Sequence, residues 1–153
     1  MGRVVSMVPA PRRGDDGPVR LAELKGELLV QYFTGGLDCV TGARDATAAF
    51  LADLARTRPP ESTEAAEDVL LVANELTTNT IRFAPGPFTL MLRDTGEAIH
   101  VSITDTNTAS PRPRHPDMSG QGGLGWQVIS TLAEHTYVLP EPGGKSVHAI
   151  LPW

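Results

Sequence analysis

Apolar residues along this chain recur with two different periods, and the switches between them mark out the elements. Leu28-Leu29-Val30-Gln31-Tyr32-Phe33 is a short apolar run closed by Gly35-Gly36, and it reads as a first strand. From residue 41 to about residue 56, Ala43, Ala46, Phe50 and Leu54 fall at helical spacing, and Pro59-Pro60 ends the segment. Ser62 or Thr63 caps a second helix, with Glu64, Glu67 and Asp68 near the positive end of its dipole. Val69, Val72, Ala73 and Leu76 form that helix's apolar stripe, and Pro85-Gly86-Pro87 stops it. The period then drops to two. Phe88-Thr89-Leu90-Met91-Leu92 and Ile99-His100-Val101-Ser102-Ile103 read as strands joined by a tight turn at Asp94-Thr95-Gly96-Glu97. A stretch without periodicity follows Asp105, long enough to be functional or disordered in a compact domain. A third helix runs from Leu124 to about Glu134, and Tyr137-Val138-Leu139 and Ser146-Val147-His148-Ala149-Ile150-Leu151 make a closing hairpin around Pro142-Gly143-Gly144.

Helices are fewer than strands and do not alternate with them. This order predicts an α/β (α+β) fold: a two-layer sandwich of a mixed, mostly antiparallel sheet with helices on one face. Residues 1–20, rich in Pro, Arg, Gly and Asp, read as a flexible tail, and residues 21–153 as a single domain.

At 153 residues, 41% of them hydrophobic, the chain is long enough for one globular core. Aromatics are only 5%, so aliphatic side chains must fill it. The net charge of −5 speaks against general nucleic-acid binding, which needs a basic footprint. A single cysteine, Cys39, cannot close an internal disulfide, and no apolar run approaches the length of a membrane span. Met1-Gly2-Arg3-Val4-Val5-Ser6 fits a myristoylation pattern. Arginine far outnumbers lysine (Lys25 and Lys145 only), which reads as GC-rich bacterial coding, where that pattern carries no meaning. A cytoplasmic protein is expected.

The candidate chemistry lies in three places. Glu75 and Asn79 stand four apart in the second helix, hence one turn apart on one face. Asp105 ends a strand, and Gly120, Gly122, Gly123 and Gly125 run into the third helix, whose free N–H groups suit a phosphate. A base, a metal ligand, a buried acceptor and a phosphate cradle are the parts of a nucleotide site. Each also has a plainer reading: exposed helix residues, a turn former, a hinge. Two motifs mislead. Gly144-Lys145-Ser146 lacks the earlier glycine and the following helix of a P-loop. Gly120, Gly122 and Gly125 match a dinucleotide fingerprint in letters but follow a Pro/Arg-rich loop instead of a buried strand. The four histidines show no metal-ligand spacing.

In order and separation these parts resemble the Bergerat-fold (GHKL, histidine-kinase-like) ATPases, and most closely the bacterial anti-sigma regulatory serine/threonine kinases. Glu75-Leu76-Thr77-Thr78-Asn79-Thr80-Ile81-Arg82-Phe83-Ala84 looks like the family's N box, with Phe83 and Thr80 departing from it. Ile103-Thr104-Asp105-Thr106-Asn107 looks like its first glycine-box region, and Gly122-Gly123-Leu124-Gly125-Trp126-Gln127-Val128-Ile129 like its second, with Gln121 at the first glycine position. Pro142-Gly143-Gly144-Lys145-Ser146 resembles the closing hairpin. The short chain is closest to the stand-alone kinases of the group.

The resemblance implies ATP and Mg²⁺ as ligands, with Asn79 on the metal and Glu75 as the catalytic base. It implies Asp105 on the adenine amino group, and Asn107, Gly122, Gly123, Leu124, Gly125 and Ser146 as further nucleotide contacts. Residues 110–123 would be a lid over the phosphates, with Arg112 and Arg114 near them. The implied partners are a sigma factor, sequestered, and an antagonist protein, phosphorylated on Ser or Thr. Dimer formation, and a non-catalytic ATP-dependent switch of the same fold, are the alternatives it leaves open.

Overall fold

A computed structural model of the chain describes residues 26–107 and 124–153. The expected tail and lid lie outside the described residues. The elements run β1 (Leu28–Phe33), α1 (Cys39–Thr57), α2 (Ala65–Phe83), β2 (Phe88–Asp94), β3 (Ala98–Asp105), α3 (Leu124–Leu132), β4 (His135–Glu141) and β5 (Gly144–Pro152). The five strands form one sheet in the order β1-β2-β3-β5-β4. The expectation of a mixed sheet is refined, since all four pairings are antiparallel. The reason is topological. After α3, β4 lies one strand away from β3, and its hairpin brings β5 back into the gap between them.

Period-two alternation sorts each strand between two environments. Leu90, Ile103 and Val147 stand side by side across β2, β3 and β5, as do Leu92, Val101 and Ala149. All six are buried, under the helices. From the helical side, Val69, Val72, Ala73 and Leu76 of α2, Phe50, Leu51 and Leu54 of α1, and Ile129 of α3 complete the core. Each large aliphatic buried this way contributes about 1.5–3 kcal/mol. At one end Phe33 and Phe88 stack with centroids 5.0 Å apart.

The element ends are tied down by specific bonds. The Ala65 N–H donates to the Ser62 hydroxyl at 3.1 Å, so a serine stands before α2 as the sequence suggests. Asp94 accepts from the Gly96 N–H across the β2–β3 turn and pairs with the Arg58 guanidinium at the end of α1. The Trp153 indole N–H donates to the Arg58 carbonyl at 2.8 Å, which fastens the last residue to α1. No helix among the described residues is long and apolar enough to cross a membrane.

At Gly144 the backbone of β5 lies close against the end of β3. A Cβ there would lie 1.8 Å from the Asp105 carbonyl oxygen. The obstacle is backbone, so relief requires the strands to part. Gly144→Ala should therefore lower stability by about 3 kcal/mol, read as a drop in the urea midpoint at unchanged slope; an unchanged midpoint would show that the strands separate without cost.

Candidate functional site

The buried stripe of α2 fixes which way its polar residues face. Val69, Val72, Ala73, Leu76 and Thr77 are buried, and the buried Thr77 hydroxyl is satisfied by donating to the Ala73 carbonyl at 2.8 Å. Glu75 and Asn79 flank that stripe and are half-buried. Among the described residues, neither side chain has a hydrogen-bonding or ionic partner.

The first turn of α3 closes on both. A Cβ on Gly125 would lie 2.3 Å from Glu75 Oε2 and 3.7 Å from Asn79 Nδ2. Only a glycine lets the helix come this near the carboxylate without pushing it aside. Glu75 and Asn79 thus face the N-terminal end of α3, whose unpaired N–H groups and positive dipole end suit anionic oxygen.

A second cluster forms where β3 and β5 end. Asp105 and Lys145 are direct partners across the two strands, and both are buried, at 5% and 7% exposure. The Lys145 ammonium lies 3.0 Å from each carboxylate oxygen of Asp105 and donates to the Asn107 carbonyl, also at 3.0 Å. Asp105 Oδ1 further accepts the Asn107 N–H at 2.8 Å. Asn107 Nδ2 donates to the Phe83 carbonyl at 2.8 Å, in the last turn of α2. That carbonyl is four residues, or one helical turn, beyond Asn79, so Asn107 hooks the strand cluster onto the helix that carries the other half of the site.

The sequence-derived residues can now be placed. Glu75, Asn79 and Gly125 converge. Asp105 and Asn107 form the second cluster, with Asn107 spending its side chain on Phe83 and its backbone N–H on Asp105. Leu124 opens α3, while Gly122 and Gly123 lie outside the described residues. Ser146 is not brought to this site. It alternates with Lys145 and Val147 and so occupies the opposite face of the sheet, where its hydroxyl donates to Glu141 Oε1 at 2.9 Å. Lys145, unassigned from sequence, takes the inward place. The signal was its phase: Lys145 shares period-two register with Val147, Ala149 and Leu151, and a lysine in phase with a core face needs a buried partner.

On the opposite face Ser146 ends a chain of polar contacts. His148 Nε2 meets the Ser146 hydroxyl at 2.8 Å, and His148 Nδ1 meets His100 Nε2 at 2.9 Å. Because the Ser146 proton goes to Glu141, His148 donates from Nε2 and accepts at Nδ1 from His100. Tyr137 stacks on the His148 ring at 4.5 Å. Burial pushes both imidazoles below their ordinary value of 6.5, helped at His100 by Arg93 and at His148 by His100, with Glu141 opposing.

The donor set around α2 and α3 fits a nucleotide with its metal. Asn79 offers a neutral oxygen of the kind Mg²⁺ takes, Glu75 an acceptor for a proton, and Asp105 a carboxylate at depth.

Known proteins resemble this chain in sequence and in fold. The family model described as the histidine kinase-like ATPase domain matches residues 37–151. Among solved structures, the RsbU and RsbW domains of Rv1364c from Mycobacterium tuberculosis superpose with a TM-score of 0.59 at 11% identity. The match covers 82% of this chain and 32% of that one, so the chain spans about a third of that structure. The histidine kinase domain of the blue-light activated histidine kinase EL346 from Erythrobacter litoralis is also similar, at 16% identity and a TM-score of 0.44, over 72% of this chain and 60% of that one. No curated protein matches the sequence.

Two outcomes follow from this geometry. Gly125→Ala meets only the movable end of Glu75, and alanine favours the helix by up to about 1 kcal/mol. Its melting temperature should stay near that of the parent protein while calorimetric affinity for Mg²⁺-ATP falls about tenfold. The imidazole pair gives a pH dependence of defined sign. Folded-state values below 6.5 mean that the unfolded chain takes up protons first as pH falls. Melting temperature should therefore be flat above about pH 7 and decline below it, with a shallower decline in His148→Gln.

Proposed function

The chain belongs to the histidine kinase-like ATPase domain family, and on that premise we propose that it is an ATP-dependent regulator of the anti-sigma type. In this reading it binds Mg²⁺-ATP, sequesters a sigma factor and phosphorylates a serine or threonine of an antagonist protein. The observation that carries the proposal is the convergence of Glu75 and Asn79 on the first turn of α3 through Gly125. It puts a proton acceptor, a metal ligand and an anion-stabilising helix end at one place. The choice of partners rests on the likeness of residues 103–107 to the family's first glycine-box region in its anti-sigma form.

The residues divide the work by their chemistry. Asn79 would hold Mg²⁺ through its carboxamide oxygen, without adding negative charge beside the phosphates. A Mg²⁺ held there would supply positive charge against phosphate repulsion. The N-terminal N–H groups of α3 face the phosphate oxygens. Glu75 accepts the proton of the attacking serine or threonine hydroxyl as its oxygen takes the terminal phosphoryl group, leaving ADP. A carboxylate without a bound partner is suited to this, and Glu75 has none among the described residues. Asp105 receives the exocyclic amino group of adenine at Oδ2, since Oδ1 already accepts the Asn107 N–H and a Lys145 proton. Asn107 sets the distance between base and metal ends by bonding to Phe83.

Calorimetry and label transfer test this directly. Asp105→Asn should weaken Mg²⁺-ATP binding at least about tenfold. Glu75→Ala should bind ATP normally while label transfer to an antagonist encoded beside this chain falls by about 100-fold or more. Absence of ATP binding by the folded protein would overturn the reading. Sigma-factor capture that requires ATP, with no transfer even by the parent protein, would identify a non-catalytic switch instead.

A further inference from the structure

Asp105, the carboxylate that the nucleotide reading gives to the adenine amino group, is already engaged by Lys145. We propose that this ion pair is an autoinhibitory contact: Lys145 occupies the base-reading oxygen, and adenine binds by displacing the ammonium into solvent. This rests on the nucleotide reading above and deepens it, by naming what regulates the same site.

Both oxygens of Asp105 have partners. Oδ1 accepts the Asn107 N–H at 2.8 Å, and the Lys145 ammonium lies 3.0 Å from Oδ1 and 3.0 Å from Oδ2. The same ammonium donates to the Asn107 carbonyl at 3.0 Å. Asp105 and Lys145 are both buried, so the closed pair presents little of itself to an incoming base. A base and Lys145 therefore compete for Oδ2, and one of the two charged groups has to move before the adenine amino group reaches it.

The carboxylate is the fixed member. At Gly144 the β5 backbone comes so near that a Cβ would run into the Asp105 carbonyl oxygen, which leaves the strand end no room to shift. Oδ1 is held by the Asn107 N–H, and the Asn107 side chain is tied in turn to the Phe83 carbonyl at 2.8 Å. Lys145 is the movable member. Its backbone is set in register opposite Asp105, but its charge sits on a flexible four-carbon stem that can carry it out to water. Lys145 stands two residues from the exposed Gly143 of the β4–β5 turn, so water lies within reach of that stem.

Charge balance alone would also account for a lysine beside a buried carboxylate, because a lone buried charge is costly. The two roles have opposite consequences for the nucleotide. A lysine that only balances charge stays paired when ATP binds, and its loss weakens binding. A lysine that competes leaves the pair when ATP binds. Its loss then raises affinity, because a closed form lowers apparent affinity in proportion to the molecules it holds.

Lys25 and Lys145 are the only lysines of the chain, so Lys25→Arg leaves a single lysine amine to follow. Reductive methylation of the full Lys25→Arg chain, read by peptide mapping, should label Lys145 slowly. Saturating Mg²⁺-ATP should speed that labelling about tenfold or more. Mg²⁺-tripolyphosphate, which lacks the base, should leave it slow. By calorimetry, Lys145→Met should bind Mg²⁺-ATP about tenfold more tightly than the parent protein. An unchanged or slower labelling rate with ATP, or equal or weaker binding by Lys145→Met, would overturn the inference. The labelling arm keeps Lys145, so it decides the matter even if Lys145→Met fails to fold. ATP that binds while Lys145 stays protected removes this inference alone; failure of ATP to bind the folded protein removes the nucleotide reading with it.

Discussion

The packing of α2 onto β3 and β5 is the constraint from which the site follows. Val69, Val72, Ala73 and Leu76 are each at most 3% exposed and lie in one core with Val101, Ile103, Val147 and Ala149. An aliphatic stripe this continuous fixes the helix's rotation about its axis. A turn by one residue would move these side chains by about 100° and expose them. Glu75 and Asn79 inherit their direction from that packing. They are not held by partners of their own. Bonds of their own would instead occupy the side-chain oxygens that this packing leaves open.

Two glycines then bring separate elements within reach. At Gly144 the β5 backbone meets the Asp105 carbonyl, so Lys145 is set directly opposite Asp105. At Gly125 the start of α3 meets the Glu75 carboxylate. Both are close approaches that a side chain would prevent, but their costs differ. One obstacle is backbone of a central strand; the other is the free end of a long side chain. Stability is therefore more exposed at Gly144, and function more exposed at Gly125. Asn107 links the two halves through Phe83, so the Asp105–Lys145 cluster and the Glu75–Asn79 pair share α2 as a common support.

Much of this was legible in the sequence. Alternation gave the strands, helical spacing gave the helices, and Pro85-Gly86-Pro87 marked the end of α2, where Phe83 is the last helical residue. The spacing of Glu75 and Asn79 by itself puts them on one face. Ser146 and Lys145 show what motif reading leaves open. They are adjacent in sequence and lie on opposite faces of one sheet. Strand alternation, which follows from backbone geometry, puts Lys145, and not Ser146, on the face that carries Asp105.

The sequence by itself therefore determined the elements, their order and the chemical types available, since these depend on local spacing and on the conformational limits of Gly and Pro. Tertiary structure alone decided that every strand pairing is antiparallel and that α3 closes on Glu75. It also decided that the buried carboxylate of Asp105 is matched by an ammonium 40 residues away. Those outcomes depend on which distant segments pack together, and no local pattern records the distance between them.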